Sequence, residues 1–582
     1  MFKYGKETIF LNKRIFKISK KFSSTLSYVH NPVNLPLRPL TVGQLLEETC
    51  NKNGDTVGII SCHQNQKLTF NEIIYRADQL AAGLKSIELN YGDRVGIWAP
   101  NLIEWYISFM ACARAGLTTV AINPLFQHKE IEYCINKVGI KAMISGHIYK
   151  KQNYYEILNK VIPNLITNEP GKIKNNNVPS LKSIISIADK ELKGTFNYNH
   201  ILNIANENEI KKIKNEQNKI KCDDSFNIQF TSGTTGKAKA ASISHFNLVN
   251  NGFFVGKRNE LNKKQQKICV QVPLFHAFGT CITISAALNY GSTLVLPSAG
   301  YNPDKNLDAI KNEKCTIIHG TPTMYVDLVN RQMERNEDIN PEIAVSGGAI
   351  CSPHLFKRMK KYLKLNKVKS VYGLSETTAV IFQSMEGDDE YKSTCTVGHV
   401  SEHVEAKVVD NNGNIVPRGT PGELYVRTYA NMLEYWGDEE KTKDTIGNDR
   451  WLKTGDQFVL EEDGYGRVVG RLKDMIIRGG ENIFPREIED YLNTHPDILE
   501  NYAIGLPHER LGEEICACVR VKEGSNITLE DIKKFCQGNI SDFKIPTKME
   551  KVNSFPKTTS GKIQKFKMVE EFKQKYENNI NT

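Results

Sequence analysis

Beyond about residue 40, short apolar runs alternate with longer segments in which apolar residues recur every three or four positions. The short runs predict strands and the longer amphipathic segments predict helices. The predicted strands are 93–101, 116–122, 141–145, 317–320 and 369–372, and the predicted helices are 41–51, 69–87 and 104–115. A strand, a helix and a second strand at this spacing predict a parallel βαβ unit. We therefore expect an α/β fold.

The pattern changes near residue 406, where short strands separated by turns begin. An Asn-Asn-Gly-Asn turn at 411–414 predicts a hairpin, and 422–427 predicts a strand. After residue 471 a segment of roughly 100 residues carries its own strands and helices, which is enough for a domain. The expected domains are a large N-terminal domain over 40–471, with two βαβ-type subdomains and a small β subdomain, then a small α+β C-terminal domain over 472–573 and a tail over 574–582.

The first thirty residues contain seven lysines and arginines against a single acid, Glu7, with apolar residues at roughly helical spacing and several serines. A basic, amphipathic, acid-poor start resembles a transit peptide, and predicts delivery to the mitochondrial matrix. A disordered basic tail is the alternative. No apolar run approaches the roughly 20 residues of a membrane span.

The composition narrows the function classes for this chain of 582 residues. The net charge of +10 is modest for the length and falls partly at the N-terminus and partly in Lys/Asn-rich stretches, so it does not predict nucleic-acid binding. Thirteen cysteines without metal-ligand spacing predict free thiols in a reducing compartment. Residues 165–222 are rich in Asn, Lys and Glu, and we interpret them as a surface excursion.

The densest chemistry follows a predicted buried strand at 226–230. Two glycines, four hydroxyls and two lysines are packed into a single run: Thr231, Ser232, Gly233, Thr234, Thr235, Gly236, Lys237, Ala238 and Lys239. Glycines allow close backbone approach, and N–H groups, hydroxyls and lysines together suit phosphate oxygens. A Walker A loop is excluded, because a threonine stands at the position of its first glycine and an alanine follows the lysine. A plain surface turn would explain the glycines but not the hydroxyls and lysines.

This stretch resembles the phosphate loop of the acyl-adenylate-forming superfamily, which includes acyl-CoA synthetases, luciferases and peptide-synthetase adenylation domains. It departs from the usual pattern at Ala238, where proline is common, and at Ala240, where glycine is common. Further motifs match in order along 40–570, at 346–349, 372–377, 451–456, 470–474, 475–485 and 555–565. The stretches 272–276, 320–325 and 512–518 resemble the mitochondrial medium-chain acyl-CoA synthetases within that superfamily.

The resemblance implies a role for each matched residue. ATP-binding roles fall on the phosphate loop and on Gly348, Tyr372, Gly373, Ser375, Asp456 (ribose), Arg471 and Lys562. Glu376 is implied as the Mg²⁺ ligand, Lys562 as the lysine that bridges the acyl carboxylate and the α-phosphate, and His276 as a histidine near that carboxylate. On charge grounds alone Lys557 and Lys565 compete with Lys562, and a structural core histidine remains the alternative for His276. Lys473 is implied as the hinge of a mobile C-terminal domain, and Gly479, Gly480, Glu481 and Asn482 as the CoA side.

The implied activity is a two-step acid–thiol ligase that acts on medium-chain fatty acids. ATP and a fatty acid would give acyl-AMP and pyrophosphate, and CoA would then displace AMP. The implied cofactors are ATP, Mg²⁺ and coenzyme A, and the partners are these small molecules, with no prediction of oligomeric state. Two alternatives stay open: adenylation of another carboxylic acid, aryl or amino, and a non-catalytic homologue.

Overall fold

The computed structural model describes residues 25–231, 238–349, 351–471, 474–478, 481–508, 510–558 and 561–580. Most of the predicted transit peptide therefore lies outside the described residues. Among the described helices, none is both long and apolar enough to cross a membrane.

One large sheet contains eight strands and is built around the predicted βαβ unit. In spatial order its strands are Phe196–Asn197, Ser183–Ser186, Ala142–Ser145, Arg94–Trp98, Thr118–Ala121, Ser225–Thr231, Lys239–Ser244 and Glu434–Tyr435. Arg94–Trp98 and Thr118–Ala121 pair in parallel, as the pattern predicts. The central strands are buried throughout, which is typical of parallel strands covered on both faces.

A second sheet contains nine strands. In spatial order they are His399–Val400, Phe382–Gln383, Lys367–Tyr372, Ile343–Gly347, Ile317–Gly320, Lys267–Val270, Thr293–Leu296, Val57–Ser61 and Gln66–Thr69. Its six middle strands, from Lys367–Tyr372 to Val57–Ser61, pair in parallel, so their carboxyl ends share one edge of the sheet.

Helices pack between and around the two sheets, and one continuous apolar cluster joins both sheets through them. The helices of the large domain are Val42–Asn53, Phe70–Ser86, Ile103–Ala115, His128–Val138, Tyr154–Val161, Tyr198–Asn203, Glu207–Asn215, His245–Arg258, Phe278–Ser285 (a π-helix), Ala286–Tyr290, Pro303–Asn312, Pro322–Arg335, Pro353–Tyr362, Glu390–Cys395 and Glu439–Thr445. Thr41 and Thr69 each start a helix with a reciprocal capping box, which satisfies backbone N–H groups that the helix leaves unpaired.

Two smaller sheets follow. Tyr28–His30, Val404–Val409, Gly422–Thr428, Leu452–Leu460 and Gly466–Arg471 form the small β subdomain. Glu481–Ile483, Ile476–Arg478, Gly512–Val521, Ile498–His508 and Lys548–Lys551 form the C-terminal sheet, packed with helices Pro485–Leu492, Leu529–Cys536 and Lys565–Ile580. A short hairpin, Ile148–Tyr149 with Gln152–Asn153, stands apart. The α/β fold with a large and a small part is confirmed.

Three features differ from the sequence interpretation. Residues 165–222 are not merely a surface excursion, because Ser183–Ser186 is a fully buried strand of the eight-stranded sheet. The predicted tail at 574 continues a helix, Lys565–Ile580, in which Lys575 pairs with Glu550 at 2.7 Å. Tyr28–His30, inside the predicted leader, pairs with the strand Val404–Val409 and completes a sheet.

Candidate active site

The site is organised at the carboxyl ends of two neighbouring parallel strands, Ile343–Gly347 and Lys367–Tyr372. Ligands of open α/β sheets bind beyond such ends. Gly348 follows the first strand with φ +82°, a conformation that favours glycine. After the second strand, a Cβ on Gly373 would lie 2.4 Å from the carbonyl oxygen of Ala379, so only glycine fits. The two predicted nucleotide motifs therefore meet at one edge.

Asp456 comes to this edge from the small β subdomain, where it pairs across the sheet with Arg471. Its side chain is buried, with Oδ1 3.1 Å from Nε of Arg471 and Oδ2 accepting the Tyr372 hydroxyl at 2.7 Å. Burial raises the pKa of Asp456, and the charge of Arg471 and the Tyr372 hydrogen bond act against that rise. The Asp456 charge in turn raises the pKa of Arg471. Tyr372 and Arg471 therefore hold the Asp456 carboxylate in place as a hydrogen-bond acceptor.

Lys562 arrives on a tight turn of the C-terminal part. Its N–H donates to Oγ1 of Thr558 at 3.0 Å, and its carbonyl oxygen accepts the Thr558 N–H at 2.7 Å. An ideal Cβ on Gly348 would lie 3.6 Å from Cε of Lys562. Burial lowers the pKa of His276, and the Lys562 charge lowers it further; the same charge opposes the rise that burial causes in the pKa of Asp456.

The other two candidate lysines face elsewhere. Lys565 donates to the carbonyl oxygen of Ala503 at 3.2 Å and bonds to Glu489. Lys557 acts on Asp327. Burial raises the pKa of Asp327, and the Lys557 charge is the largest influence that opposes this rise. Of the three, Lys562 is the lysine that the fold brings to the site.

His276 is partly accessible but closely surrounded by protein. Burial, with a further contribution from the Lys562 charge, lowers its pKa to about 3, so the ring is neutral near pH 7. Its Nδ1 accepts the Phe278 N–H at 3.2 Å, which leaves the proton of the neutral ring on Nε2. His276 is therefore a neutral hydrogen-bond donor and not a core histidine remote from the site.

The phosphate loop connects two antiparallel strands, in which Thr231 pairs with Lys239. Ser232, Gly233, Thr234, Thr235, Gly236 and Lys237 lie outside the described residues. The carbonyl oxygen of Ala238 accepts the Tyr133 hydroxyl at 2.8 Å, which anchors the end of the loop. Ala240 is fully buried in an apolar cluster, so the fold accommodates its methyl group in place of the usual glycine.

Glu376 sits in a short 3₁₀ turn, Ser375–Thr377, just past the strand Lys367–Tyr372. Its Oε1 accepts two hydroxyls, from Tyr435 at 2.8 Å and from Thr231 at 3.3 Å. Oε2 accepts no hydrogen bond from any described residue. A carboxylate with one oxygen that no described residue engages, beside the phosphate loop, fits a hard cation such as Mg²⁺.

The predicted hinge and part of the predicted CoA side cannot be located in the fold. Lys473, Gly479 and Gly480 lie outside the described residues. Glu481 is exposed at the edge of the C-terminal sheet, and Asn482 follows it in the same strand. Within the described ranges, no group of three or more His, Cys, Asp or Glu side chains could hold a metal ion by itself.

Comparison with protein families decides the assignment. Residues 46–436 match the model of the AMP-binding enzyme, and residues 487–562 match that of the AMP-binding enzyme C-terminal domain. The chain belongs to the AMP-binding enzyme family.

Relatives of this AMP-binding enzyme include the mitochondrial medium-chain acyl-CoA ligase ACSF2 of Danio rerio, 41% identical over 94% of this chain and 90% of the relative. The human ACSF2 is 39% identical with the same coverage. The putative acyl-CoA synthetase YngI of Bacillus subtilis is 34% identical over 91% of this chain and 96% of its own.

Solved structures support the fold alone, because their identity is low. The anthranilate CoA ligase AuaEII in complex with anthranoyl-AMP superposes with a TM-score of 0.81 at 24% identity, covering 93% of this chain and 99% of its own. ATP-bound MatB from Rhodopseudomonas palustris gives a TM-score of 0.74 at 24% identity, covering 92% and 99%. The sequence-based identification of an acyl-adenylate-forming acid–thiol ligase is confirmed by the family match and by the relatives.

Sequence reasoning missed Tyr435, which this AMP-binding enzyme places against Glu376. The residue sits in a two-residue strand, Glu434–Tyr435, that pairs with Lys239–Ser244. No local pattern marks it, since a Tyr in a short polar segment is unremarkable until its distant strand partner is known. The strand Lys239–Ser244 was missed as well, because its small residues resemble the end of a loop.

Proposed function

We propose that this enzyme joins medium-chain fatty acids to coenzyme A in two steps. The acyl carboxylate first attacks the α-phosphorus of ATP, forming the acyl–phosphate bond and releasing pyrophosphate. The CoA thiol then attacks the acyl carbon, loses its proton, and releases AMP as the thioester forms.

The placement of Lys562 carries the proposal. The first step brings two negative groups together, the carboxylate and the α-phosphate, and needs positive charge where negative charge develops. Lys562 reaches the edge at which Gly348 and Asp456 meet, and its charge influences Asp456 and His276. In this role the ammonium would lie between the carboxylate and the α-phosphate.

The neighbours of Lys562 divide the remaining work. The anchored carboxylate of Asp456 would accept the ribose hydroxyls, with Arg471 holding that carboxylate and contacting the nucleotide. His276, neutral with its proton on Nε2, would donate a hydrogen bond near the reacting carboxylate without adding charge. Tyr372 and the backbone after Gly348 would border the adenine, so that nucleotide and acid meet in a fixed orientation.

Mg²⁺ would be held at Glu376. Magnesium is usually bound through one or two carboxylates together with substrate phosphates, and Glu376 offers one such carboxylate at the end of the phosphate loop. When bound, the cation would neutralise phosphate charge during the first step. Thr231 and the loop 232–237 would hold the phosphates themselves.

The second step requires the C-terminal part to move. The hairpin that carries Glu481 and Asn482 lies at one edge of the C-terminal sheet, whereas the turn of Lys562 follows the strand Lys548–Lys551 on another part of it. We infer that the two surfaces face the site in turn, with Lys473 as the pivot. Proline at 473 would fix φ near −65° and remove an N–H. Lys473→Pro should then separate the rates of the two half-reactions, and wild-type rates for both would show that the pivot lies elsewhere.

The proposed medium-chain fatty acid substrate and the proposed mitochondrial location are based on the relatives. The relatives from Danio rerio and human, 41% and 39% identical, are named mitochondrial medium-chain acyl-CoA ligases, and the basic N-terminus of this chain agrees with import into the matrix. A screen of acids from acetate to palmitate, with AMP release as the readout, should peak at medium chain length. A peak on aryl acids would favour the alternative substrate class.

The role of Lys562 is tested by separating the half-reactions. Lys562→Ala should lower acyl-AMP formation by about a hundredfold or more, the loss typical of removing one group that stabilises the transition state. The reaction of supplied acyl-AMP with CoA should persist. Lys557→Ala is the matched control, since Lys557 lies on the same segment but acts on Asp327.

Equal loss of both half-reactions in Lys562→Ala would make the lysine structural. Equal loss of acyl-AMP formation in the Lys557→Ala control would mean that the charge of the segment matters and the position of Lys562 does not.

A further inference from the structure

Tyr435 stands in the interior of the site without a role in the proposed reaction. Its side chain is only 1% exposed. Its hydroxyl donates to Oε1 of Glu376 at 2.8 Å and accepts from Nζ of Lys239 at 2.7 Å, and the Lys239 ammonium also lies 4.3 Å from the centre of the ring. A lysine, a phenol and a carboxylate therefore form one chain of hydrogen bonds beside the phosphate loop.

Strand pairing fixes the tyrosine in this position. Tyr435 pairs with Ala241 in the eight-stranded sheet, and its N–H donates to Oγ1 of Thr442 at 2.9 Å. The turn that carries Glu376 is tied to the same segment, because the Met432 N–H donates to the carbonyl oxygen of Glu376 at 2.7 Å. Backbone and side chain of Glu376 are thus both held by residues 432–435.

The hydrogen bonds are distributed unevenly over the carboxylate. Oε1 accepts both hydroxyls, from Tyr435 and Thr231, whereas Oε2 has no hydrogen-bond donor among the described residues. A free carboxylate rotates about its last torsion, and a cation would then have to select one orientation. A carboxylate fixed through Oε1 presents Oε2 in a defined orientation before any cation arrives.

We propose that Tyr435 is a positioning residue for the metal-binding carboxylate: it fixes Oε1 of Glu376, is itself held by Lys239, and leaves Oε2 for the cation of the nucleotide complex. This inference rests on the proposed role of Glu376 as the Mg²⁺ ligand. It also gives Lys239 a second task beside phosphate contact, since its ammonium orients the phenol. Groups that orient metal ligands typically contribute ten- to a hundredfold to metal affinity.

The experiment measures cation binding directly, in the full chain. Mn²⁺ serves as the probe, with an ATP analogue whose α,β-bridge is a methylene group so that no chemistry occurs, and bound Mn²⁺ is followed by electron paramagnetic resonance. Tyr435→Phe should weaken Mn²⁺ binding about tenfold or more. Tyr154→Phe is the control: Tyr154 is about as buried as Tyr435, and its variant loses a hydrogen bond to the Pro124 carbonyl, away from Glu376.

Coupling to Glu376 distinguishes orientation from general damage. In a Glu376→Gln background, Tyr435→Phe should change Mn²⁺ binding by less than about twofold, because the oriented carboxylate is already gone. Turnover of supplied acyl-AMP with CoA, which needs no cation at Glu376, should match wild type in Tyr435→Phe and so report an intact fold.

Two results would overturn the inference: equal Mn²⁺ affinity in wild type and Tyr435→Phe, or the same loss in Tyr154→Phe. Failure of the proposed function looks different, since the wild-type enzyme would then form no acyl-AMP, or Glu376→Gln would bind Mn²⁺ as tightly as wild type.

Discussion

Asp456→Ala should weaken ATP binding, because it removes the proposed acceptor of the ribose hydroxyls. A carboxylate accepts about four hydrogen bonds. Tyr372 and Arg471 each use one position on Asp456, on different oxygens, which leaves capacity for two ribose hydroxyls. Losing even one hydrogen bond to a charged group costs about 1.5–3 kcal/mol, so ATP affinity should fall at least roughly ten- to a hundredfold.

The same change also has a cost in stability. The Tyr372 hydroxyl would lose its acceptor inside the protein, a loss of about 1–3 kcal/mol. Arg471 adds at most about 1 kcal/mol, because 43% of its side-chain surface is exposed and water screens the pair. Urea unfolding should therefore register a loss of about 1–4 kcal/mol, and calorimetric titration of ATP without acid should register the lost affinity.

Tyr372→Phe separates the two effects, because it removes the donor and keeps both the ring and the carboxylate. It should lose stability but retain most of the ATP affinity. The ribose role of Asp456 would be refuted if Asp456→Ala bound ATP as tightly as wild type. It would also be refuted if Tyr372→Phe lost as much ATP affinity as Asp456→Ala.

Asp327 of the large domain lies 3.6 Å from Arg520 of the C-terminal sheet, and we expect this ion pair to help hold Lys562 at the site. Asp327→Asn should therefore slow acyl-AMP formation about two- to fivefold at low salt and spare the CoA step, and equal slowing of both steps would contradict this role. His245, His276 and His319 have pKa values lowered to about 3 by burial, so the unfolded chain binds protons that the folded chain does not between pH 6.5 and 3. The free energy of unfolding should thus fall as the pH decreases, by up to about 1.4 kcal/mol per pH unit for each histidine. His319→Gln should make this dependence on pH less steep, and the same dependence in His319→Gln as in wild type would contradict the prediction. A chain that starts at Thr25 should keep its activity and stay in the cytosol, and its import into mitochondria would count against the transit peptide. A chain that starts at Asn31 also loses the strand Tyr28–His30, so it should unfold at a lower temperature.

The sequence predicts the βαβ core well because those strands are short runs of apolar residues between helices with clear caps. It predicts the order of the nucleotide motifs for a similar reason: each is a local run with a recognisable neighbour. Ser183–Ser186 is hidden because it has only two apolar residues, Ile184 and Ile185, inside a polar stretch. Its membership of the sheet depends on pairing with Ala142–Ser145, which no local pattern contains.

The choice among lysines and the discovery of Tyr435 both depend on tertiary contacts. Charge alone did not distinguish Lys557, Lys562 and Lys565, and the partners that separate them lie in other elements of the fold. Tyr435 and Lys239 are 196 positions apart in the chain and meet only because two strands pair. Such contacts between remote segments leave no periodic signal in the sequence.

The turn that presents Lys562 rests on the start of the helix Pro322–Arg335. The Thr323 hydroxyl donates to the Gly561 carbonyl oxygen at 3.4 Å, and an ideal Cβ on Gly561 would lie 2.8 Å from Oγ1 of Thr321. If the C-terminal part moves as proposed, this turn would also close the site, since it would have to lift before thiol or water could reach the mixed anhydride. Without CoA, a burst of one pyrophosphate per chain should precede a slow release of AMP. The rate of that slow phase would then equal the rate at which the turn opens.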